Sequence, residues 1–328
     1  MRQQLKVIQY GLGPIGAAAA RLIVERPDLA LVGGVDVDPA KVGFDVGTII
    51  GLDHPLGIKV VERLAQVEAE ADVVLHTTSS YFDLFKTQLI EILEAGLDVV
   101  STSEELSFPW LAHPEDAAEI DAVAQLTGQT VLGTGVNPGF LMDALPLFLT
   151  AISQRVDRIA MTRVVNASLR RGPFQAKIGA GMTVDDFNTK MAAGRMGHVG
   201  LPESVGMVFA TLGHTLVKYE TDVKPIVAEE LVKTAYFEVQ PGQVRGLKQV
   251  ARGYTESGEF MTLTFIAALD EPNEGDTVRL YGRPDLEVKL QGTNGDIATV
   301  AIAVNALRRV HEAAPGLVTM RDIPMVTV

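Results

Sequence analysis

Lys6-Val7-Ile8-Gln9-Tyr10-Gly11-Leu12-Gly13-Pro14-Ile15-Gly16-Ala17-Ala18-Ala19-Ala20-Arg21-Leu22-Ile23 is the stretch that decides the fold. Lys6 to Tyr10 is a short, mostly apolar strand pattern, and the alanine-rich run after the glycines is strongly helical. Between them, Gly11, Gly13 and Gly16 make a G-x-G-x-x-G turn. Such a turn lets the backbone bend tightly and approach a pyrophosphate, whose charge then meets the amide-rich start of the helix. Leu29 to Val35 reads as a second strand ending at Asp36, twenty positions past Gly16. An acid there accepts hydrogen bonds from both ribose hydroxyls, whereas a 2′-phosphate would meet its charge. The spacing predicts a dinucleotide site built from Gly11, Leu12, Gly13, Pro14, Ile15, Gly16 and Asp36, with NAD(H) favoured. Lys41 is near enough in sequence to reach a phosphate, so NADP(H) is possible. The alternative is that the glycines serve only a tight strand-to-helix turn, which would not require the acid.

Working outward, Ala71 to Leu75, Leu97 to Val100 and Thr130 to Leu132 read as further strands, and Pro114 to Leu126 as an amphipathic helix. Strands alternating with helices predict a Rossmann-type, doubly wound parallel sheet in an α/β fold. Past Asp143 the pattern changes. Arg158 to Asn166, Leu231 to Val239, Glu259 to Ala268, Thr277 to Tyr281 and Leu286 to Leu290 are strand-like runs with few helices between them. That predicts a second, α+β domain with a mostly antiparallel or mixed sheet. Asp296 to Arg309 returns to a helical pattern and Gly316 to Met320 reads as a closing strand. The expected organisation is a dinucleotide-binding domain over 1–140, a substrate-binding and dimerisation domain over 141–295, and a tail, 296–328, returning to the first.

A chain of 328 residues allows two domains at about 150 residues each. With 28 basic against 41 acidic residues and a net charge of −13, the average field repels a phosphate backbone and argues against nucleic acid as a partner. The absence of cysteine excludes disulfides, thiolate ligands and a Cys nucleophile, and is compatible with a reducing cytoplasm. Met1-Arg2-Gln3-Gln4 runs directly into the first strand with no apolar leader, which predicts a cytoplasmic protein. Leu126 to Leu141 is broken by glycines and Pro138 and cannot supply the about 20 apolar residues of a membrane span.

In open α/β sheets, ligands sit beyond the carboxyl ends of the strands, which directs attention to three loops. His76-Thr77-Thr78-Ser79-Ser80 is small and hydroxylated. Thr77, Thr78 and Ser79 suit a nicotinamide ribose, or else an ordinary helix-capping loop. Ser101-Thr102-Ser103-Glu104-Glu105-Leu106 puts two carboxylates after a buried strand, where one can exchange protons and the other is a solvated helix-start acid, or both are such acids. Gly135-Val136-Asn137-Pro138-Gly139-Phe140 offers Asn137 to the cofactor and Phe140 to a substrate pocket, or is a hinge with a core aromatic. In the second domain, Arg170, Arg171 and Lys177 precede Gly179-Ala180-Gly181-Met182-Thr183, a loop able to present cations and amides to an anion, or a charged surface turn. His198, in Gly194-Arg195-Met196-Gly197-His198, and His214 are isolated. No cluster at metal-ligand spacing predicts a metal site.

Together these segments, with Ser107-Phe108-Pro109, Leu141-Met142-Asp143 and Pro173-Phe174-Gln175-Ala176-Lys177-Ile178, resemble the dihydrodipicolinate reductase-like group that contains 2,4-diaminopentanoate dehydrogenase and the native amine dehydrogenases. The likeness runs through Gly292-Thr293-Asn294-Gly295-Asp296 to Gly316-Leu317-Val318-Thr319-Met320. What it implies is an NAD(P)-dependent oxidoreductase acting on CH–NH2 groups, converting a small carbonyl compound plus ammonia to an amine and back. It also implies a homodimer built through the second domain's sheet. Glu104 matches the family's proton-handling glutamate, and Phe140 a pocket-lining position, to which Phe174, Met182 and His198 are added here. The chain departs from dihydrodipicolinate reductases proper, whose paired histidines ahead of a lysine are replaced by Arg170-Arg171 ahead of Lys177. Their Ser-Gly-Thr carboxylate grip likewise reads Gly-Ala-Gly-Met-Thr. A carboxylate-bearing substrate of the 2,4-diaminopentanoate kind, held by those cations, is the nearest alternative, and a dinucleotide-sensing regulator is the non-enzyme one.

Overall fold

The computed structural model describes residues 4–194 and 196–328; Met1 to Gln3 and Arg195, quoted above, lie outside the described residues. In chain order the strands are β1 (Leu5–Tyr10), β2 (Leu29–Val35), β3 (Val60–Val61), β4 (Val73–His76), β5 (Asp98–Ser101), β6 (Thr130–Gly133), β7 (Arg155–Asn166), β8 (Lys218–Val227), β9 (Val232–Lys233), β10 (Glu238–Val239), β11 (Val244–Thr255), β12 (Gly258–Ala268), β13 (Gly275–Arg283), β14 (Leu286–Leu290) and β15 (Gly316–Val318). They fall in two compact units, 1–140 with 294–328, and 141–293.

The first unit carries a seven-stranded sheet in the order β15-β6-β5-β4-β1-β2-β3, with every pairing parallel. Period-two alternation sends the side chains of one strand to opposite layers. Leu5 and Val7 pack with Ile23, Val304 and Leu307, on the side of the helices Pro14–Glu25 and Gly295–His311. Ile8 and Tyr10 pack with Phe85, Leu89 and Ile120, on the side of the helices Phe82–Glu94 and Pro114–Thr127. The chain moves outward from β1 to β2 and β3, then crosses back to build β4, β5 and β6 on the other side. The order therefore reverses between β1 and β4, the switch point at which such sheets bind ligands. The loops after β1, β4 and β5 leave the same carboxyl edge.

The second unit carries a six-stranded mixed sheet, β14-β13-β7-β12-β11-β8, in which only β7 and β12 run parallel. The helix Leu201–Thr211 lies against it so closely that a Cβ on Gly253 would stand 2.5 Å from Phe209 and 2.6 Å from Val205. On the buried face of β7, the Arg163 guanidinium sits 3.1 Å from the Asp276 carboxylate and donates to the Thr293 carbonyl at 3.2 Å. The opposite face of the same strands, with Thr162, Val164, Thr264, Ile266 and Thr277, is half-exposed.

Two expectations about this unit change. Leu231 to Val239 is not one strand but the two-residue strands β9 and β10 about a turn. The helices are also not few: Ala144–Thr150, Gly172–Lys177, Val184–Ala192 and Leu201–Thr211 all lie there. Among the described residues, no helix is long and apolar enough to cross a membrane.

Candidate active site

The glycine loop is shaped by what surrounds it. Gly11 takes φ +88°, and a Cβ there would lie 2.6 Å from the Thr77 carbonyl oxygen, a position open to glycine alone. A Cβ on Gly16 would lie 1.9 Å from the Gly11 carbonyl oxygen and 2.5 Å from Thr77 Oγ1. Gly13 is the opposite case, with nothing within 4 Å of its notional Cβ, so the loop opens to solvent at that point. Gly13 caps the helix Pro14–Glu25, with Pro14 in its first turn, no side-chain cap and no acid in that turn. Among the described residues the helix start thus has neither a side-chain cap nor an acid in its own first turn, the arrangement that suits a pyrophosphate. Leu12 turns its side chain into the core beside Val46 and Ile50 and contributes only backbone. Ile15 is half-buried and packs against the first unit's core.

Asp36, just past β2, accepts from the Leu12 N–H at 2.7 Å, the Asp38 N–H at 2.9 Å and Lys41 Nζ at 2.9 Å. Burial pushes its carboxyl up, but the hydrogen bonds from Asp38, Lys41 and Leu12 outweigh this and hold it below the ordinary range. The acid expected at the ribose is thus ionised and paired with the lysine expected near a phosphate.

After β4, Thr77 points its hydroxyl back at the Gly11 carbonyl, 2.8 Å away, and accepts from Gln9 Nε2 at 2.9 Å. Gln9 is fully buried and also donates to the Gly11 carbonyl at 2.9 Å. Its Oε1 has no hydrogen-bond partner among the described residues. Gln9 is a support of the loop that the sequence did not single out; a polar residue in an apolar strand directly before the glycines is the signal. Thr78 turns its hydroxyl to Gln88 Oε1 at 2.8 Å, and Ser79 accepts from the Tyr81 N–H at 3.2 Å. His76, expected to open this polar loop, instead closes β4 with no surface exposed.

The two acids after β5 part company. Glu105 Oε2 accepts from the Phe82 N–H at 2.6 Å and lies 3.5 Å from His113 Nε2, so it caps the helix Phe82–Glu94. Glu104 opens the short turn Glu104–Ser107, is half-buried, and has its carbonyl held by the Ser107 hydroxyl at 2.8 Å. Asn137 is buried, in a cis peptide with Pro138, and Phe140 is 37% exposed at the end of the first unit's main stretch.

In the second unit, Phe174 lies in the helix Gly172–Lys177, half-buried, with the Arg170 guanidinium 4.9 Å from its ring centroid. Met182 is half-buried and hydrogen-bonded through its backbone to Val244 at 2.9 Å. His198 is held through its backbone by Gln249, at 2.6 and 2.9 Å, and stacks on Phe265 at 4.8 Å.

Residues 140–328 match the 2,4-diaminopentanoate dehydrogenase C-terminal domain, and residues 5–103 the N-terminus of dihydrodipicolinate reductase. A 2,4-diaminopentanoate dehydrogenase from Acetoanaerobium sticklandii is 34% identical, covering 98% of this chain and 94% of its own. An amine dehydrogenase from Streptomyces virginiae is 24% identical, covering 98% and 96%. The structure of an amine dehydrogenase from Mycobacterium smegmatis superposes with a TM-score of 0.88 at 25% identity, over 100% of this chain and 98% of that one.

Proposed function

The chain belongs to the 2,4-diaminopentanoate dehydrogenase family and is an NAD(P)-dependent dehydrogenase; on that premise, we propose that it interconverts small aldehydes or ketones plus ammonia with the corresponding amines. In the aminating direction a hydride and a proton enter and water leaves. The bound nicotinamide supplies or takes the hydride. The amides at the start of Pro14–Glu25 would hold the pyrophosphate, and Asp36 would accept from the ribose hydroxyls. NAD(H) is the favoured cofactor, and Lys41 admits NADP(H) by offering a cation beside Asp36.

What carries the proposal is the position of Glu104. It leaves the carboxyl end of β5, on the same sheet edge as the glycine loop, while its neighbour Glu105 is committed to a helix cap. A carboxylate there moves protons through ammonia addition and water loss, and its charge favours a cationic iminium, which a fixed positive group would oppose. Phe140, Phe174, Met182 and His198 are proposed to shape the substrate's surroundings.

A second copy is proposed to cover the half-exposed sheet face around Thr162, Val164, Thr264 and Ile266. Lys248, Arg252, Arg279 and Glu287 lie on the same face, a mixture of signs suited to self-pairing.

The test is NADH and NADPH oxidation across a carbonyl panel in concentrated ammonium buffer. Ammonia-dependent turnover supports the proposal. Alcohol oxidation without ammonia would replace it with alcohol chemistry, and nucleotide binding with no turnover would indicate a sensor. A carboxylate-bearing substrate is the second reading, favoured by the 34% identical relative and by Arg170 ahead of the Phe174 helix and Lys177 at its last position. Comparing 2-amino-4-ketopentanoate with cyclohexanone and pentanal separates the two.

A further inference from the structure

β4 reads Val73-Val74-Leu75-His76: three apolar residues, then a histidine with none of its surface exposed, at the end of the strand that borders the switch point. Burying an imidazole there is unfavourable unless both ring nitrogens are satisfied, and both are. Nε2 lies 2.8 Å from Gln88 Oε1, and Nδ1 lies 2.9 Å from Ser101 Oγ. An amide oxygen only accepts, so Nε2 carries the hydrogen and Nδ1 accepts from the Ser101 hydroxyl. Burial pushes the imidazole down to about 4, which keeps this neutral tautomer at neutral pH. The ring is wedged against Tyr10 and Phe85, at centroid distances of 5.5 and 6.2 Å.

The bonds lead toward the loop. Ser101 Oγ accepts from the Ser103 N–H at 3.1 Å and lies 2.9 Å from Ser103 Oγ. Ser103 is fully buried and immediately precedes Glu104. On the other side of the ring, Thr78 is 2.9 Å from Nε2 and donates to Gln88. A purely structural strand end would be filled as well by another aliphatic residue, without burying an imidazole and two serine hydroxyls. Here the polar groups tie together the ends of β4 and β5 and the start of the Glu104 turn.

We propose that His76 is a positioning residue for Glu104, acting through Ser101 and Ser103 to set the backbone from which the glutamate leaves the strand. This role rests on Glu104 being the acid/base, and the test separates the two. Displacing a reacting group by an ångström can lower turnover by about a hundredfold. His76→Leu is therefore expected to lower kcat of the best carbonyl–ammonia pair by roughly ten- to a hundredfold, with KM and the NADH Kd within about twofold. His76→Asn, whose amide oxygen can stand in for Nδ1 as acceptor, should recover most of the loss. Ser103→Ala should lower kcat in the same sense, and its effect should not add to that of His76→Leu, because both cut one chain.

The proposal is overturned if Ser103→Ala and His76→Leu keep wild-type kcat while Glu104→Ala is inactive. Parallel loss of NADH binding would overturn it too, as would failure of His76→Asn to recover activity beyond His76→Leu. If His76→Leu fails to fold, Ser103→Ala and His76→Asn decide. If Glu104→Ala itself retains turnover, it is the acid/base reading that fails, and the positioning role with it.

Discussion

Lys41 sits 2.9 Å from Asp36 Oδ2 and 3.6 Å from Asp38 Oδ2, so one lysine answers two acids at the place where a dinucleotide's ribose is expected. A 2′-phosphate would repel Asp36 but attract Lys41, and the balance between them sets cofactor preference. Lys41→Ala is expected to raise KM for NADPH about tenfold, the loss of one charge-assisted hydrogen bond, and to move KM for NADH by less than about twofold. Steady-state assays with both cofactors check this; equal effects on the two would remove Lys41 from the phosphate. Glu104→Ala is expected to lower amination by roughly a hundred- to ten-thousandfold while the NADH Kd, read by fluorescence titration, stays put. Retained turnover would sink the acid/base role. That Asp36 would stand at the glycine loop, where it accepts from the Leu12 N–H, was legible from its spacing to Gly16. That Lys41 folds onto it was not, because the contact depends on how the turn after β2 closes.

At the scale of elements, the parallel sheet was legible apart from its two-residue edge strand β3, because its other strands are short apolar runs near periodic helices, and such patterns depend on neighbours a few residues away. β8 was not: Lys218-Tyr219-Glu220-Thr221-Asp222-Val223-Lys224-Pro225 is a charged edge strand, and its extended state is set by pairing with β11. Edge strands are kept polar against unwanted pairing, which erases the signal used to find them. The helix Phe82–Glu94 shows the same dependence in a single bond, since its cap comes from Glu105, 23 positions away. Glu105→Ala is expected to destabilise the protein by about 1 kcal/mol, a lost cap, read as a fall in the denaturation midpoint, with amination retained. Loss of amination matching that of Glu104→Ala would mean that the two acids had been assigned the wrong way round.

For the whole molecule, the half-exposed face of the second unit's sheet is where the proposed second copy would pair. Ile266→Asp would put a charge in the middle of that face and is expected to turn a dimer into monomers in sedimentation; an unchanged assembly state would move the interface elsewhere. Global stability carries the signature of His76. Its folded value near 4 lies below the ordinary 6.5, so between those values the unfolded chain binds the extra proton. Stability therefore rises with pH across that window, is complete above 6.5 and drains away toward 4, by about 3 kcal/mol. Denaturant titrations at a series of pH values should show this slope in the wild type and its loss in His76→Asn; an unchanged slope would mean that the ring is not the source.

By itself the sequence determined the α/β class and the parallel half with its glycine loop between strand and helix, because glycine spacing and hydrophobic period are short-range constraints. Tertiary structure alone decided which of two adjacent acids is committed to a helix cap. It also decided that Gln9 braces the glycine loop, and that His76 reaches Ser101 across 25 positions. Those outcomes turn on adjacent parallel strands bringing distant side chains within hydrogen-bond range, and a linear pattern carries no record of that.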